Sequence, residues 1–203
     1  MKVLIVLTYY RPHISGLTIY AERIARALAK RGNQVTVLTS QFDPRLPLEE
    51  ICEGVRVVRV PVLARLSKGV IMPSLGRLAS KLVKEHDVIQ LHLPQFDAAG
   101  VAFRGRLHKK PTVITYHCDL ELPPGLFNRI ANLAVLTMND LAALFTHGIV
   151  TYTDDYANHS RYTRRHMQKV NIIPPPVVLP AITAEEKSDF HAEHNPGNQR
   201  PVI

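Results

Sequence analysis

The sequence predicts an α/β fold with a doubly wound, mostly parallel sheet, and three observations lead to that prediction. Short apolar segments of strand character recur along the chain, and helical segments separate most of them. The first, KVLIVLT at 2–8, is a continuous apolar run, as expected for a strand buried on both faces. The chain has 203 residues, of which 46% are hydrophobic, so it is long enough to bury a substantial core.

The predicted elements follow in order from the N-terminus. Leu17, Tyr20, Ile24 and Leu28 recur at helical spacing, and Gly32 ends that helix. The loop expected after the second strand contains two prolines, and the third strand ends near Pro61, which places its end at an edge or beyond the ladder. Strands are predicted at 2–8, 34–40, 55–62, 87–93, 111–117, 148–153 and 169–174, helices at 17–31, 74–85, 97–108, 124–146 and 154–166, and a loop at 41–54.

The pattern breaks at residues 174–180, where PPPVVLP predicts a stiff extended connector. A short helix is expected at 184–194, and RPVI at 200–203 has the character of a strand that is just beginning. We therefore expect an N-terminal domain at 1–173, a hinge or linker at 174–199, and the start of a second domain at 200–203.

Charge and composition narrow the function classes. The formal net charge of +8 favours phosphates, nucleotides or an anionic membrane surface as partners. No aromatic stacking platform, zinc finger or helix-turn-helix pattern indicates nucleic acid. The two cysteines, Cys52 and Cys118, have no metal-ligand spacing, so we expect free thiols, a cytoplasmic location and no metal. The segment 63–84 mixes apolar and basic residues, which is typical either of a surface helix or of a peripheral contact with the inner face of an anionic membrane.

Ligands of open parallel sheets bind beyond the carboxyl ends of the strands, and that rule selects the candidate residues. Gly16 lies at the start of the first helix, where free N–H groups suit a phosphate, although the glycine could instead serve a turn. His92 and His117 each lie at a strand end, where a histidine can bind a sugar hydroxyl or move a proton. Asp97 is interpreted as the N-cap of the following helix, and Thr153 or Asp154 as the cap of a later one.

With these segments in place, the sequence resembles family 4 glycosyltransferases, the retaining group 1 enzymes with two facing Rossmann-like domains. The segment MKVLIVLTYYRPHISGLTIYAERIARALAKRGNQVTVLTS at 1–40 is similar to the opening of that family. DVIQLHLPQFDAAGVAFRGRLHKKPTVITYHCDL at 87–120 and IVTYTDDYANHS at 149–160 resemble later strands of the same domain, and KVNIIPPPVVLP resembles its hinge. The resemblance covers residues 1 to 180 and implies an N-terminal, acceptor-side domain whose donor-binding partner domain would follow.

The resemblance also implies roles for particular residues. Gly16 matches the second glycine of a loop that touches the donor phosphates or sugar when the two domains close, and Ser15 stands where the family has its first glycine. His117 matches a histidine at the site of sugar transfer. Acceptor-binding roles fall to the residues near it, namely Tyr10, Arg11, His92 and Asp119. The resemblance implies a nucleotide-sugar donor, a sugar, lipid or phosphorylated acceptor, no further cofactor, usually no metal, and transfer with retention of the anomeric configuration.

Two alternatives stay open at this stage. The chain could be a non-catalytic module that binds a partner protein or an anionic surface. A dinucleotide oxidoreductase would need G-x-G-x-x-G after the first strand and an acidic residue after the second, and the sequence has neither in place. If the glycosyltransferase interpretation holds, we expect the chain by itself to be inactive, since the donor is held mainly by the other domain.

Overall fold

The computed structural model describes residues 1–66, 69–177 and 181–194. Within those ranges, eight strands form one sheet with helices on both faces. These strands are β1 (Lys2–Val6), β2 (Gln34–Gln41), β3 (Glu49–Cys52), β4 (Val55–Pro61), β7 (Val88–Leu93), β8 (Thr112–Tyr116), β9 (Gly148–Thr151) and β10 (Val170–Ile172), while β5 (Ala64–Leu66) and β6 (Gly69–Ile71) form a separate hairpin. The order of strands across the sheet is β10-β9-β8-β7-β1-β2-β4-β3. The helices are α1 (Gly16–Lys30), α2 (Leu75–Glu85), α3 (Ala98–Leu107), α4 (Leu126–Phe145), α5 (Asp154–His159), α6 (Arg161–Arg165) and α7 (Ala184–His194).

The two faces of the sheet carry separate apolar cores, and β1 contributes to both. Leu4 and Val6 point into one core, which α2, α3 and α4 cover. Val3 and Ile5 point into the other, which α1 covers. Side chains alternate along a strand, so a strand covered on both faces must be apolar at every position. This explains the continuous apolar run at the N-terminus and confirms the predicted doubly wound, mostly parallel fold.

The prediction of a loop at 41–54 is wrong for its second half. β3 pairs antiparallel with β4 through a two-residue turn, with Cys52 opposite Val55. Glu53 and Gly54 have φ angles of 51° and 80°, the left-handed conformations of a type I′ hairpin turn. Glutamate seldom takes the first of these positions, which usually holds asparagine, aspartate or glycine, so the sequence contains only half of the hairpin signal.

The segment 63–84 is not one amphipathic stretch. It begins with the β5–β6 hairpin, and the apolar residues Leu75, Ala79, Leu82 and Val83 of α2 are buried against the sheet. The predicted helix at 154–166 is also interrupted, because Ser160 is extended, with φ −67° and ψ 133°, and separates α5 from α6. Local periodicity cannot detect such a break, which coincides with a hydrogen bond from the Ser160 hydroxyl to Asp119.

Two local predictions are confirmed: Gly32 follows α1 with a φ of 80°, and the Thr153 hydroxyl caps α5 by accepting from Tyr156 N at 3.1 Å. Pro61 is the last residue of β4 and lies beyond the pairing with β3, but it is still opposite Gln41 in the ladder with β2, so the expectation for Pro61 holds on one side of the strand only. The helix expected at 184–194 is α7.

The connector begins beside α1, where Arg23 Nη1 donates to the Pro176 carbonyl at 2.9 Å. The predicted strand at 200–203 lies outside the described residues. Among the helices that are described, none is long and apolar enough to cross a membrane.

Candidate functional site

A cleft opens where the strand order reverses. From β1 the chain builds β2 and β4 on one side and then returns to β7 on the other, so the carboxyl ends of β1 and β7 border a topological switch point. The cleft above this point has a volume of about 590 Å³. Its walls come from the loop after β1, the start of α1, the loop after β7 and the first half of α4, and the residues include Thr8, Tyr9, His13, Ser15, Leu17, Thr18, His92, Pro94, Gln95, Phe96, Asp97, Leu120, Leu122, Ala131 and Val135.

Two histidines lie at the base of the site, in contact with each other. Nδ1 of His92 is 2.8 Å from Nε2 of His117, and Nδ1 of His117 is hydrogen-bonded to the Tyr152 hydroxyl. His92 is 1% exposed and lines the cleft, and none of the described residues hydrogen-bonds its Nε2. His117 thus has both ring nitrogens engaged by protein groups, whereas His92 keeps one nitrogen for another partner.

Burial keeps both histidines neutral at neutral pH. Desolvation lowers the pKa of His117 to about 4. Desolvation, and then the proximity of His117, hold the pKa of His92 well below its ordinary value. Because neither ring is a cation under physiological conditions, the pair can act through hydrogen bonds but does not offer a positive charge to a phosphate.

The positive end of the site is the start of α1. The Ser15 hydroxyl accepts from Thr18 N at 3.2 Å and contacts the Thr18 hydroxyl at 2.7 Å, which makes Ser15 the helix cap. The N–H groups of Gly16 and Leu17 precede the first intrahelical acceptors, so a ligand oxygen can take them. A Cβ on Gly16 would meet nothing within 4 Å, and Gly16 is not in the left-handed region. Neither backbone conformation nor internal packing therefore requires a glycine here, which leaves room for a ligand to approach.

Asp97 places a carboxyl group in the cleft. Asp97 is the N-cap residue of α3, as predicted, and its carbonyl accepts from Val101 N at 3.2 Å, but its side chain makes no capping hydrogen bond. The backbone of Asp97 is already close to helical, with φ −79° and ψ −1°, whereas capping residues are typically extended. Desolvation raises its pKa to about 6. A carboxyl group with such a pKa changes charge close to neutral pH and can accept a proton or a hydrogen bond from a hydroxyl.

The other residues predicted for the acceptor lie elsewhere in the structure. Tyr10 is 3% exposed and packs in the core beneath α1. Arg11 Nε is 3.3 Å from Glu22 Oε2, and its carbonyl accepts from Arg59. The Asp119 carboxylate accepts from the Tyr116 hydroxyl at 2.8 Å and from the Ser160 hydroxyl at 2.9 Å. These contacts hold the loops around the cleft, and acceptor-binding roles for the three residues stay predictions.

Two tyrosines that the sequence pattern does not single out complete the histidine pair. Tyr20 lies on α1, and its ring meets His117 edge-on at 5.1 Å and His92 at 5.8 Å between centroids. Tyr152 directly follows β9, at the same edge of the sheet as the histidines. The end-of-strand rule that selects His92 and His117 applies equally to Tyr152. Tyr20 belongs by its spacing to the apolar face of a helix, and no local signal separates it from an ordinary core residue.

No three His, Cys, Asp or Glu side chains within the described ranges converge to hold a metal ion. The expectation of transfer without a metal stays a prediction, because the donor diphosphate is itself a potential metal ligand.

Comparison with known proteins identifies the chain as a member of a family. The model of Glycosyltransferase Family 4 matches residues 14–180, so the chain belongs to that family. No curated protein sequence matches it. The family assignment therefore rests on the family model, and the domain is a glycosyltransferase domain.

Solved structures agree on the fold. Sucrose-phosphate synthase from Thermosynechococcus elongatus superposes with a TM-score of 0.59 at 15% identity, over 98% of this chain and 54% of that one. A UDP-GlcNAc 2-epimerase from Methanocaldococcus jannaschii gives a TM-score of 0.53 at 15% identity, over 86% of this chain and 46% of that one. At such identities the likeness concerns the fold, and this chain spans about half the length of the structures it matches.

Proposed function

We propose that the chain is the N-terminal, acceptor-side half of a retaining glycosyltransferase. Residues 1–173 form this half, and in this proposal a second domain of the family type holds most of the nucleotide-sugar. The proposal is supported by one observation above all. A single cleft lies between a helix start that suits phosphate and a neutral histidine that suits a sugar hydroxyl. Those are the two parts of a nucleotide-sugar that meet at the transferred bond.

Each wall of the cleft has a part in the proposed reaction. The N–H groups of Gly16 and Leu17 stabilise negative charge that develops on the donor diphosphate as it leaves. His92 hydrogen-bonds a hydroxyl of the transferred sugar, and His117 holds His92 in place through the 2.8 Å contact. Leu120, Leu122 and Val135 form an apolar wall that excludes water once the second domain closes. No metal or additional cofactor is required in this proposal, because the helix start and closure stabilise the leaving group.

The acceptor hydroxyl is assigned to Asp97. Its carboxyl group lines the cleft and is not engaged as a helix cap. At neutral pH the Asp97 carboxyl group is largely ionised, since its pKa is about 6. It can therefore orient a hydroxyl by accepting a hydrogen bond from it. The acceptor would be a sugar, a lipid or a phosphorylated compound that presents such a hydroxyl.

A binding experiment tests the site on the chain itself. Amide spectra of the ¹⁵N-labelled protein are recorded during titration with UDP, GDP and ADP, and with uridine as a probe that lacks phosphate. We expect the resonances of Ser15, Gly16 and Leu17 to shift with the diphosphates and not with uridine. Gly16→Ala should weaken this response, because its methyl group occupies the approach path. Gly76→Ala, in the first turn of α2, is the control; its Cβ would lie 3.0 Å from Nη2 at the flexible end of Arg104, whereas a Cβ on Gly16 meets nothing within 4 Å.

Shifts that are the same for uridine and UDP, or that lie away from α1, would contradict the phosphate assignment. Sugar transfer is tested separately. The chain alone should release no sugar from UDP-, GDP- or ADP-glucose above the rate without protein, and rapid turnover would contradict the proposed need for a second domain. In a protein that joins the chain to that domain, the anomeric proton coupling of the product is expected to show retention.

A second candidate function is contact with an anionic membrane, and the first half of α4 favours it. Leu126, Phe127, Ile130 and Leu133 are each more than half exposed, and they lie on the helix that borders the cleft. Such a surface can seat against a bilayer and bring a lipid-borne acceptor to the site.

Co-sedimentation with vesicles tests this second candidate. Binding to phosphatidylcholine vesicles that contain phosphatidylglycerol should exceed binding to phosphatidylcholine alone, because the chain has a net charge of +8. Phe127→Ser with Leu133→Ser should weaken binding to the anionic vesicles, because it removes apolar surface that would enter the bilayer. Leu107→Ser is the control, since Leu107 is 62% exposed but ends α3 at the opposite edge of the sheet. Equal binding to both kinds of vesicle would count against the membrane contact.

A further inference from the structure

Tyr152, His117 and His92 form a row of hydrogen-bonded side chains that ends at the cleft. The Tyr152 hydroxyl contacts Nδ1 of His117, and Nε2 of His117 contacts Nδ1 of His92 at 2.8 Å. Nε2 of His92 is buried, and no group in the described part of the chain bonds it. The row therefore has one free end, and that end belongs to a residue that lines the cleft.

Hydrogen-bond rules leave this row two arrangements. A neutral imidazole has one N–H donor and one acceptor nitrogen, and burial keeps both rings neutral at neutral pH. If Tyr152 donates to His117, then His117 donates to His92, and Nε2 of His92 carries a hydrogen. If Tyr152 accepts from His117, every bond reverses, and Nε2 of His92 is an acceptor. The direction of the Tyr152–His117 hydrogen bond therefore determines whether Nε2 of His92 is a donor or an acceptor.

The surroundings of Tyr152 favour the first arrangement. Burial raises the pKa of Tyr152, so its phenol keeps its hydrogen at neutral pH. Among the described residues, His117 is the hydrogen-bond partner found for that hydroxyl. Tyr152 is partly exposed, so a Tyr152 that accepted from His117 would give its own hydrogen to solvent, whereas a Tyr152 that donates is satisfied within the fold by His117.

Aromatic packing holds the row in this geometry. The ring of Tyr20 lies 5.1 Å from His117, at 88° to its plane, and 5.4 Å from Tyr152. The four rings come from α1 and from the ends of β7, β8 and β9, which all meet at one edge of the sheet. Rings packed in this way cannot turn over without moving their neighbours, so the hydrogen-bond pattern is held by the fold.

We propose that Tyr152 is a positioning residue that donates to Nδ1 of His117 and so fixes both histidines as Nε2–H tautomers. His92 then presents an N–H donor to the cleft, and its partner is an uncharged hydroxyl oxygen of the sugar. A neutral donor deep in the site suits a hydroxyl, whereas the start of α1 suits the phosphates. This inference rests on the proposed function for the identity of the ligand, but the tautomers themselves do not depend on it.

The tautomers can be measured directly on the 203-residue chain. Long-range ¹H–¹⁵N spectra of protein labelled at its histidine nitrogens, recorded at neutral pH, distinguish Nε2–H from Nδ1–H imidazoles. We expect the Nε2–H pattern for both His92 and His117. An Nδ1–H pattern at either residue would overturn the proposal, and this part needs no variant. A failure here would leave the nucleotide titrations of the proposed function unaffected.

A variant tests whether Tyr152 sets the state. Tyr152→Phe removes the hydrogen bond to Nδ1 of His117. The ¹⁵N resonance of that nitrogen should therefore move toward the position of an imidazole nitrogen that has no hydrogen-bond partner. The Nδ1–H tautomers of His117 and His92 should also become populated. Tyr156→Phe is the matched control, because it removes the hydroxyl of a tyrosine that stacks on Tyr116 and is not part of the row, and it should leave both patterns as in the unaltered chain. Amide spectra establish that each variant is folded. Unchanged histidine spectra in folded Tyr152→Phe protein would refute a positioning role for Tyr152.

Discussion

Replacing His117 should remove part of the acid sensitivity of the fold. The pKa of His117 is about 4 in the folded chain, against about 6.5 in an unfolded one. Between these two values the unfolded state binds more protons than the folded state, so the free energy of unfolding falls as the pH falls. The stabilisation is complete above about pH 6.5 and is lost progressively down to about pH 4.

The size of the effect follows from the two pKa values. Between pH 7 and pH 4.5, the linkage relation gives a loss of about 2 kcal/mol from His117. With a urea m-value of about 2 kcal/mol per molar, the midpoint of unfolding should fall by roughly 1 M through this residue. His92 and His86 act in the same direction, because burial lowers their pKa values as well. Asp97 acts in the opposite direction, since its pKa is raised to about 6.

Urea unfolding followed by circular dichroism at several pH values measures this contribution. Between pH 7 and pH 4.5, the urea midpoint of His117→Gln should fall by roughly 1 M less than the midpoint of the unaltered chain. His159→Gln is the control, because that side chain is 77% exposed, and it should follow the unaltered chain. Asp97→Asn should steepen the dependence. If the midpoints of the unaltered chain and His117→Gln fall in parallel, the assignment of acid sensitivity to His117 is wrong.

Substitutions at three further positions test the packing and hydrogen bonding of the domain by thermal or urea unfolding. Gly105→Ala should destabilise the fold by about 2 kcal/mol, because its Cβ would lie 2.2 Å from Oγ1 of the fully buried Thr112; an unchanged midpoint would contradict that clash. Asp119→Ala should cost about 2 kcal/mol, since the Tyr116 and Ser160 hydroxyls lose their shared acceptor, while Asp119→Asn should cost less; equal losses would argue against hydrogen bonding as the cause. Gly32→Ala should lower the free energy of unfolding by about 1 kcal/mol, because a residue with a Cβ is strained at the φ of 80° found there. A stabilised variant would show that the turn can change conformation.

Much of the fold could be predicted because its signals are local. A strand covered on both faces is apolar at each position, as 2–8 is, and a helix with one covered face repeats its apolar residues at helical spacing, as α1 does. The hairpin at Glu53–Gly54 and the break at Ser160 could not be predicted in this way. The first uses an unusual turn residue, and the second coincides with a hydrogen bond to Asp119, which is 41 residues away in the sequence.

The candidate site shows the same division. The rule that ligands bind beyond strand ends selects Gly16, Ser15, His92 and His117 from residue order alone, and the family resemblance agrees with the family model. The amino-acid sequence is thus enough to assign the fold class, the family and the edge of the sheet at which the cleft lies. These assignments depend on strand order and on residue types that each segment displays.

Which of these residues faces the cleft depends on tertiary contacts. His92 and His117 are both histidines at strand ends, yet His92 lines the cleft while Tyr152 and His92 occupy the two nitrogens of His117. Tyr10 is buried beneath α1, and Asp97, the N-cap residue of α3, lines the cleft and makes no capping hydrogen bond with its side chain. The direction of a side chain, its burial and its pKa depend on neighbours brought together from distant segments, and no single segment contains that information.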